Sequence, residues 1–256
     1  MPETEYKEDV PSSDPSKVIE LFDLPAWILV NFDNLDSLKR DLSDLTIWGE
    51  VNELLQEVPP LHLSLQDSSG GSMVLEFTDG EVFIYENPNG VLTNSPELPW
   101  HLSNLRNYVN LSPYIKETEI NGITYKGIGF GSGYVGIPGD VTPPSRFVRI
   151  SFLREFSNSV ETEEEGVMLA LHLVNTVDIP AGVSKREESS TESFESTQWV
   201  TIRDNKKLKL YFRTYDCASL VVVDLNRVDF SYGIKHESID FDKPFLAIDV
   251  CNLFSF

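Results

Sequence analysis

Residues 72–86 read SMVLEFTDGEVFIYE. Two runs rich in branched and aromatic side chains flank Asp79-Gly80, a dipeptide that suits a two-residue hairpin turn because both central residues must accept positive φ. This is the clearest hairpin in the chain, and it commits the sequence to antiparallel β structure. LHLSLQD (61–67) alternates just before it, with DSSGG as the intervening turn, and VLTN (91–94) reads as a further short strand.

Helical patterns surround this block. NLDSLKRDLSDL (34–45) places Leu35, Leu38, Leu42 and Leu45 on one face. SKVIELFDLPAWILVNF (16–32) also has helical spacing, with Pro25 expected to kink or break it. ELPWHLSNLRNYV (97–109) turns helical after its proline. TPPSRFVRISFLREF (142–156) carries proline in its first turn and Thr142 as a cap. EEEGVMLALHLVNTV (163–177) has acidic residues at its positive end. SKREESSTESFES (184–196) is polar and reads as a mobile surface loop. TQWVTIRD (197–204), KLKLYFRTYD (207–216) and SLVVVDL (219–225) read as strands. Helices and hairpin-linked strands in blocks predict an α+β fold with mainly antiparallel pairing. Residues 1–15, acidic with three prolines, are expected to be loop or disorder, and 16–256 a single domain.

The formal net charge of -21 argues against nucleic-acid or anionic-membrane binding. Cys217 and Cys251 form no CxxC and have no accompanying His cluster, so neither a metal site nor a disulfide framework is expected. No cofactor is implied. The polar N-terminus is not a signal peptide, no apolar run reaches the roughly 18 residues of a membrane helix, and the expected compartment is cytoplasmic.

GSGYVG (131–136) matches GxGxxG, but a dinucleotide fingerprint must open directly into a helix. Here Pro138 and Gly139 follow, and the helical pattern starts only near Pro143. The stretch reads instead as a loop that bends sharply or admits a close approach. Two polar residues stand beside apolar runs. Asn94, in GVLTNSP, is either a turn residue or a functional amide. Arg146, in PPSRF, sits in a helix's first turn, where the dipole disfavours a cation. It is either a surface arginine or one that faces a carboxylate or an anionic ligand. His62, His101, His172 and His236 show no metal-ligand spacing, and His172 reads as a core-edge residue. Cys217 and Cys251 read as small packing residues.

Together, ENPNGVLTNSPELPWHLSNLRNYVNLSP (86–113), GSGYVGIPGDVTPPSRFVR (131–149), HLVNTVDIPAGV (172–183) and TQWVTIRD with LYFRTYD (197–216) resemble the choloylglycine hydrolase family, which includes bile salt hydrolases and penicillin V acylases. The resemblance runs from about residue 16 to about 225. It implies the N-terminal nucleophile hydrolase fold, an αββα sandwich of two antiparallel sheets between helical layers. It implies hydrolysis of linear amides by a cysteine at the mature N-terminus, whose own α-amine can act as the base. It places Asn94 at the oxyanion-hole asparagine and Arg146 at the active-site arginine.

The chain begins Met1-Pro2, and residues 1–15 resemble the family's middle. The expectation is therefore an N-terminally truncated member, with the nucleophile and the first strands in a section that these residues do not include. Alone, the chain is expected to be inactive toward conjugated bile acids and penicillin V. The alternatives are a non-catalytic acyl-ligand-binding remnant and a gene fragment. The expected partner is a small-molecule amide substrate, with room for a homo-oligomer or for a second chain that supplies the opening section.

Overall fold

Pro25 starts a helix rather than breaking one. Strand β1 (Val18–Glu20) comes first, and helix α1 (Leu24–Asn31) then holds Pro25 in its first turn, where a missing N–H leaves no bond unmade. The single helix expected over 16–32 is therefore a strand followed by a shorter helix. Helix α2 (Leu35–Leu42) is capped by Asn34, whose side chain accepts from the Ser37 N–H. Strand β2 (Thr46–Trp48) then pairs in parallel with β1, Val18 opposite Thr46. The parallel pair has no period-2 pattern longer than three residues, which hid it from the sequence reading.

The structure is a computed structural model that describes Thr4, Tyr6 and residues 14–53, 56–187 and 192–234. These fall into two compact units, Met1–Phe156 and Ser157–Phe256. In the first, β3 (Leu63–Gln66), β4 (Ser72–Thr78) and β5 (Glu81–Glu86) form an antiparallel sheet in the order β3-β4-β5. Asp79 and Gly80 take φ of 53° and 70°, so the hairpin turns where its dipeptide dictates.

Strand β4 is buried on both faces, and its alternation sorts two cores. Met73, Leu75 and Phe77 pack with Leu24 and Ile28 of α1 and Leu38 and Leu42 of α2. On the opposite face Val74 packs with Val91, Leu98 and Phe147. Glu76 shares that second face and is fully buried. Residues 91–94, expected as a strand, are irregular and lead into helix α3 (Leu98–Asn104). A hairpin that the sequence reading missed follows: β6 (Glu117–Ile120) and β7 (Ile123–Lys126), joined by Asn121-Gly122 with φ of 53° and 77°. Helix α4 (Pro143–Glu155) closes the unit.

The second unit has helix α5 (Glu163–Asn175), capped by Thr162 in a reciprocal box with Glu165. Strands β8 (Ser184–Glu187) and β9 (Glu192–Glu195) pair antiparallel. The segment expected as a loop over 184–196 is thus two hairpin strands where it is described. Its polar composition misled because a two-stranded ribbon needs only alternating backbone bonds, not an apolar face. Strands β10 (Trp199–Asp204), β11 (Lys209–Thr214) and β12 (Val221–Asp224) form the antiparallel sheet expected from their runs. His172, expected at the core edge, is exposed.

Candidate active site

The glycine-rich stretch before α4 works through close approach. A Cβ on Gly133 would come within 2.2 Å of the Ser112 carbonyl oxygen and 2.3 Å of that of Tyr114. Only glycine lets the two backbones meet, and the Ser112 N–H donates to the Gly133 carbonyl at 3.0 Å. Farther along, Arg149 reaches back from α4 and donates to the carbonyls of Pro138 at 2.8 Å and Asp140 at 3.2 Å. The GIPGD turn is therefore tied to the helix it introduces.

Thr142 occupies the cap position, but its side chain makes no cap bond. Asp140 takes over. Its carboxylate accepts from the Thr142 N–H at 3.0 Å, the Thr142 hydroxyl at 2.5 Å and the Ser145 hydroxyl at 2.6 Å. These bonds, with Ser145 the largest contributor, pull the Asp140 pKa down to about 2. A depressed carboxylate stabilises the fold fully above its unfolded pKa near 3.8, and the contribution fades as pH falls toward 2. Asp140→Asn should therefore remove the part of acid destabilisation that lies between about pH 4 and pH 2. Unfolding curves taken across that range test this, and an unchanged pH profile would contradict the role assigned to Asp140.

With α4's start fixed, Arg146 is aimed. Its Nε donates to the Val141 carbonyl at 3.1 Å, and its Nη2 donates to Asn94 Oδ1 at 2.8 Å. The structure thus brings together two side chains 52 positions apart. An arginine has only donors, so the amide atom facing it must be the oxygen. The Asn94 NH2 group is left as the outward end of an exposed side chain, held in one orientation by a cation. Arg146 stands where the helix dipole favours a carboxylate or anionic partner, and Asp140 is the carboxylate nearest to it in sequence. The Asp140 carboxylate instead serves Thr142 and Ser145, and an amide oxygen accepts from Arg146.

Two supporting residues went unread in the sequence. His101, 1% exposed, places Nε2 2.9 Å from the Asn94 carbonyl and stacks on Phe147 at 4.8 Å. Burial lowers its pKa, against the opposing effect of backbone carbonyls. A neutral ring donates from Nε2 to that carbonyl. Glu76, 0% exposed, accepts from the Leu98 N–H at 3.1 and 3.3 Å. Burial raises its pKa. Cys217 is buried at a turn in the second unit, where its N–H donates to the Thr214 hydroxyl at 3.2 Å. Cys251 lies outside the described residues. Among the described residues, no group of three or more His, Cys, Asp and Glu side chains is arranged to hold a metal ion.

Comparison with known proteins gives this geometry a context. The family model for linear amide C-N hydrolases, choloylglycine hydrolase family, matches residues 4–242. A bile salt hydrolase/transferase of Clostridium perfringens is 31% identical over 82% of this chain. The chain spans 63% of that relative's length. A penicillin V acylase of Pectobacterium atrosepticum is 27% identical, covering 90% of this chain and 58% of its own. Among solved structures, a variant of the conjugated bile acid hydrolase from Clostridium perfringens superimposes with a TM-score of 0.81 at 27% identity, covering 97% of this chain and 74% of the other. The α+β architecture expected from the sequence is that of these N-terminal nucleophile hydrolases.

Proposed function

The chain belongs to the choloylglycine hydrolase family of linear amide C-N hydrolases, and from that premise we propose that it contributes the asparagine–arginine part of an active site for amides of the conjugated bile acid or penicillin V type. The observation that carries this reading is the 2.8 Å bond from Arg146 to Asn94 Oδ1, which leaves the NH2 group of an exposed side chain as an oriented donor. A nucleophilic thiol adds to the amide carbonyl, and the carbonyl oxygen gains negative charge. Asn94 Nδ2 donates to that oxyanion, and Arg146 keeps the amide from rotating while its positive charge favours both thiolate and oxyanion. Collapse of the adduct breaks the C–N bond, the amine leaves with a proton, and water later hydrolyses the thioester. The nucleophile in this reading is a cysteine bearing a free α-amine. Cys217, buried in mid-chain, cannot present one.

The test is amine release from glycine-conjugated bile acids and from penicillin V, measured on the protein as its own cells make it. Release that is lost on thiol alkylation supports the reading. Ligand binding with no release points to the second reading, an acyl-ligand-binding protein without chemistry. Release that survives alkylation overturns the cysteine mechanism.

A further inference from the structure

Two fully buried polar side chains contact the ends of segment 94–98, and the proposed chemistry gives neither of them a task. Glu76 stands on β4 among the apolar residues of the second core. A buried carboxylate is costly to desolvate, and an apolar side chain there would pack without that cost. Its bonding explains its presence. Glu97 caps α3 by position, but its side chain makes no cap bond. Glu76 supplies the missing cap from across the sheet, with both oxygens on the Leu98 N–H. One turn into the same helix, His101 returns Nε2 to the carbonyl of Asn94. The five residues 94–98 are thus pinned at both ends, at the Asn94 carbonyl and at the Leu98 N–H.

The other end of each contact also converges. The His101 ring stacks on Phe147 at 4.8 Å and 22°. Phe147 follows Arg146 in α4. The backbone of Asn94 is referred to residue 147 through His101, and its side chain is referred to residue 146 directly. Two adjacent positions of one helix therefore fix both the place and the rotation of the amide.

We propose that Glu76 and His101 are positioning residues that hold Asn94 in register with Arg146. The proposal rests on the reading of Asn94 as the oxyanion donor for its purpose, but its geometry is open to a direct test on the chain. The probes are the side-chain NH2 signals of Asn94 and the guanidinium Nη–H signals of Arg146 in a 15N-labelled sample, assigned by their disappearance in Asn94→Ala and Arg146→Ala.

Glu76→Met and His101→Met should each move both sets of signals away from their positions in the unsubstituted chain. Glu76→Gln keeps an oxygen for the Leu98 N–H, and His101→Gln keeps a donor for the Asn94 carbonyl, so both should restore the signals. Methionine variants that fold, melt at lower temperature and leave the Asn94 and Arg146 signals in place would reduce both residues to ordinary stabilisers and overturn the proposal. Should the methionine variants fail to fold, native-state hydrogen exchange on the unsubstituted chain decides. The Leu98 N–H and the His101 Nε2–H should open together with one dependence on denaturant, and independent opening overturns the clamp. These signals report geometry and not turnover. Loss of the clamp would leave the hydrolase reading standing, and absence of amine release would leave the clamp standing.

Discussion

Replacing Asn94 with alanine should lower the turnover number of the proposed amine release by about 10²–10³, equivalent to about 2.7–4 kcal/mol of transition-state stabilisation, the usual cost of one oxyanion donor. The magnitude follows from what the side chain does in the structure. Its oxygen accepts from Arg146, and its NH2 group is the end free to donate. Asn94→Asp separates the two functions. A carboxylate keeps an acceptor for Arg146 but has no N–H to offer. If donation is the role, the aspartate variant should lose as much turnover as the alanine variant, with KM little changed in either. If the role is only to anchor Arg146, the aspartate variant should keep most of its activity. Steady-state amine release with both variants distinguishes the two.

Replacing Phe147 with alanine should destabilise the first unit by about 3–5 kcal/mol, the range for a large buried aromatic. Phe147 is 1% exposed and packs with Val74, Val91 and Leu98 beneath α4. It also carries the stack with His101, so the loss includes a ring pair as well as a cavity. Urea unfolding of the chain at unchanged slope measures it. A shift below about 1 kcal/mol would mean that the site can collapse around the void, and would weaken the claim that α4 is held firmly under Asn94.

What the sequence showed and what it concealed divide along physical lines. The β4–β5 hairpin was legible because Asp79-Gly80 prescribes its own turn. By the same rule, Asn121-Gly122 was a readable signal for β6–β7 that the pattern of short, exposed strands around it disguised. Arg146 was legible as an anomaly, a cation at the positive end of a helix. Its partner was not, because the amide oxygen of Asn94 comes from a loop 52 residues earlier. Glu76 and His101 were invisible for a related reason. A carboxylate in SMVLEF looks like the polar half of an alternating strand, and only packing on both faces of β4 buries it. Local rules place residues on elements. The contacts that aim a functional amide join residues that no local rule connects.

In the proposed function, Asn94 and Arg146 act as one unit on the reacting amide. A double-mutant cycle on amine release decides this, using Asn94→Ala, Arg146→Ala and the double variant in the protein as its own cells make it, with KM and kcat resolved. Groups that share one task are strongly non-additive. The double variant should be slowed by clearly less than the product of the two single losses, because the bond between Arg146 and Asn94 Oδ1 is broken in either single variant and cannot be lost twice. A double variant slowed by the product of the two single losses would show that the residues act independently, and would contradict the paired site.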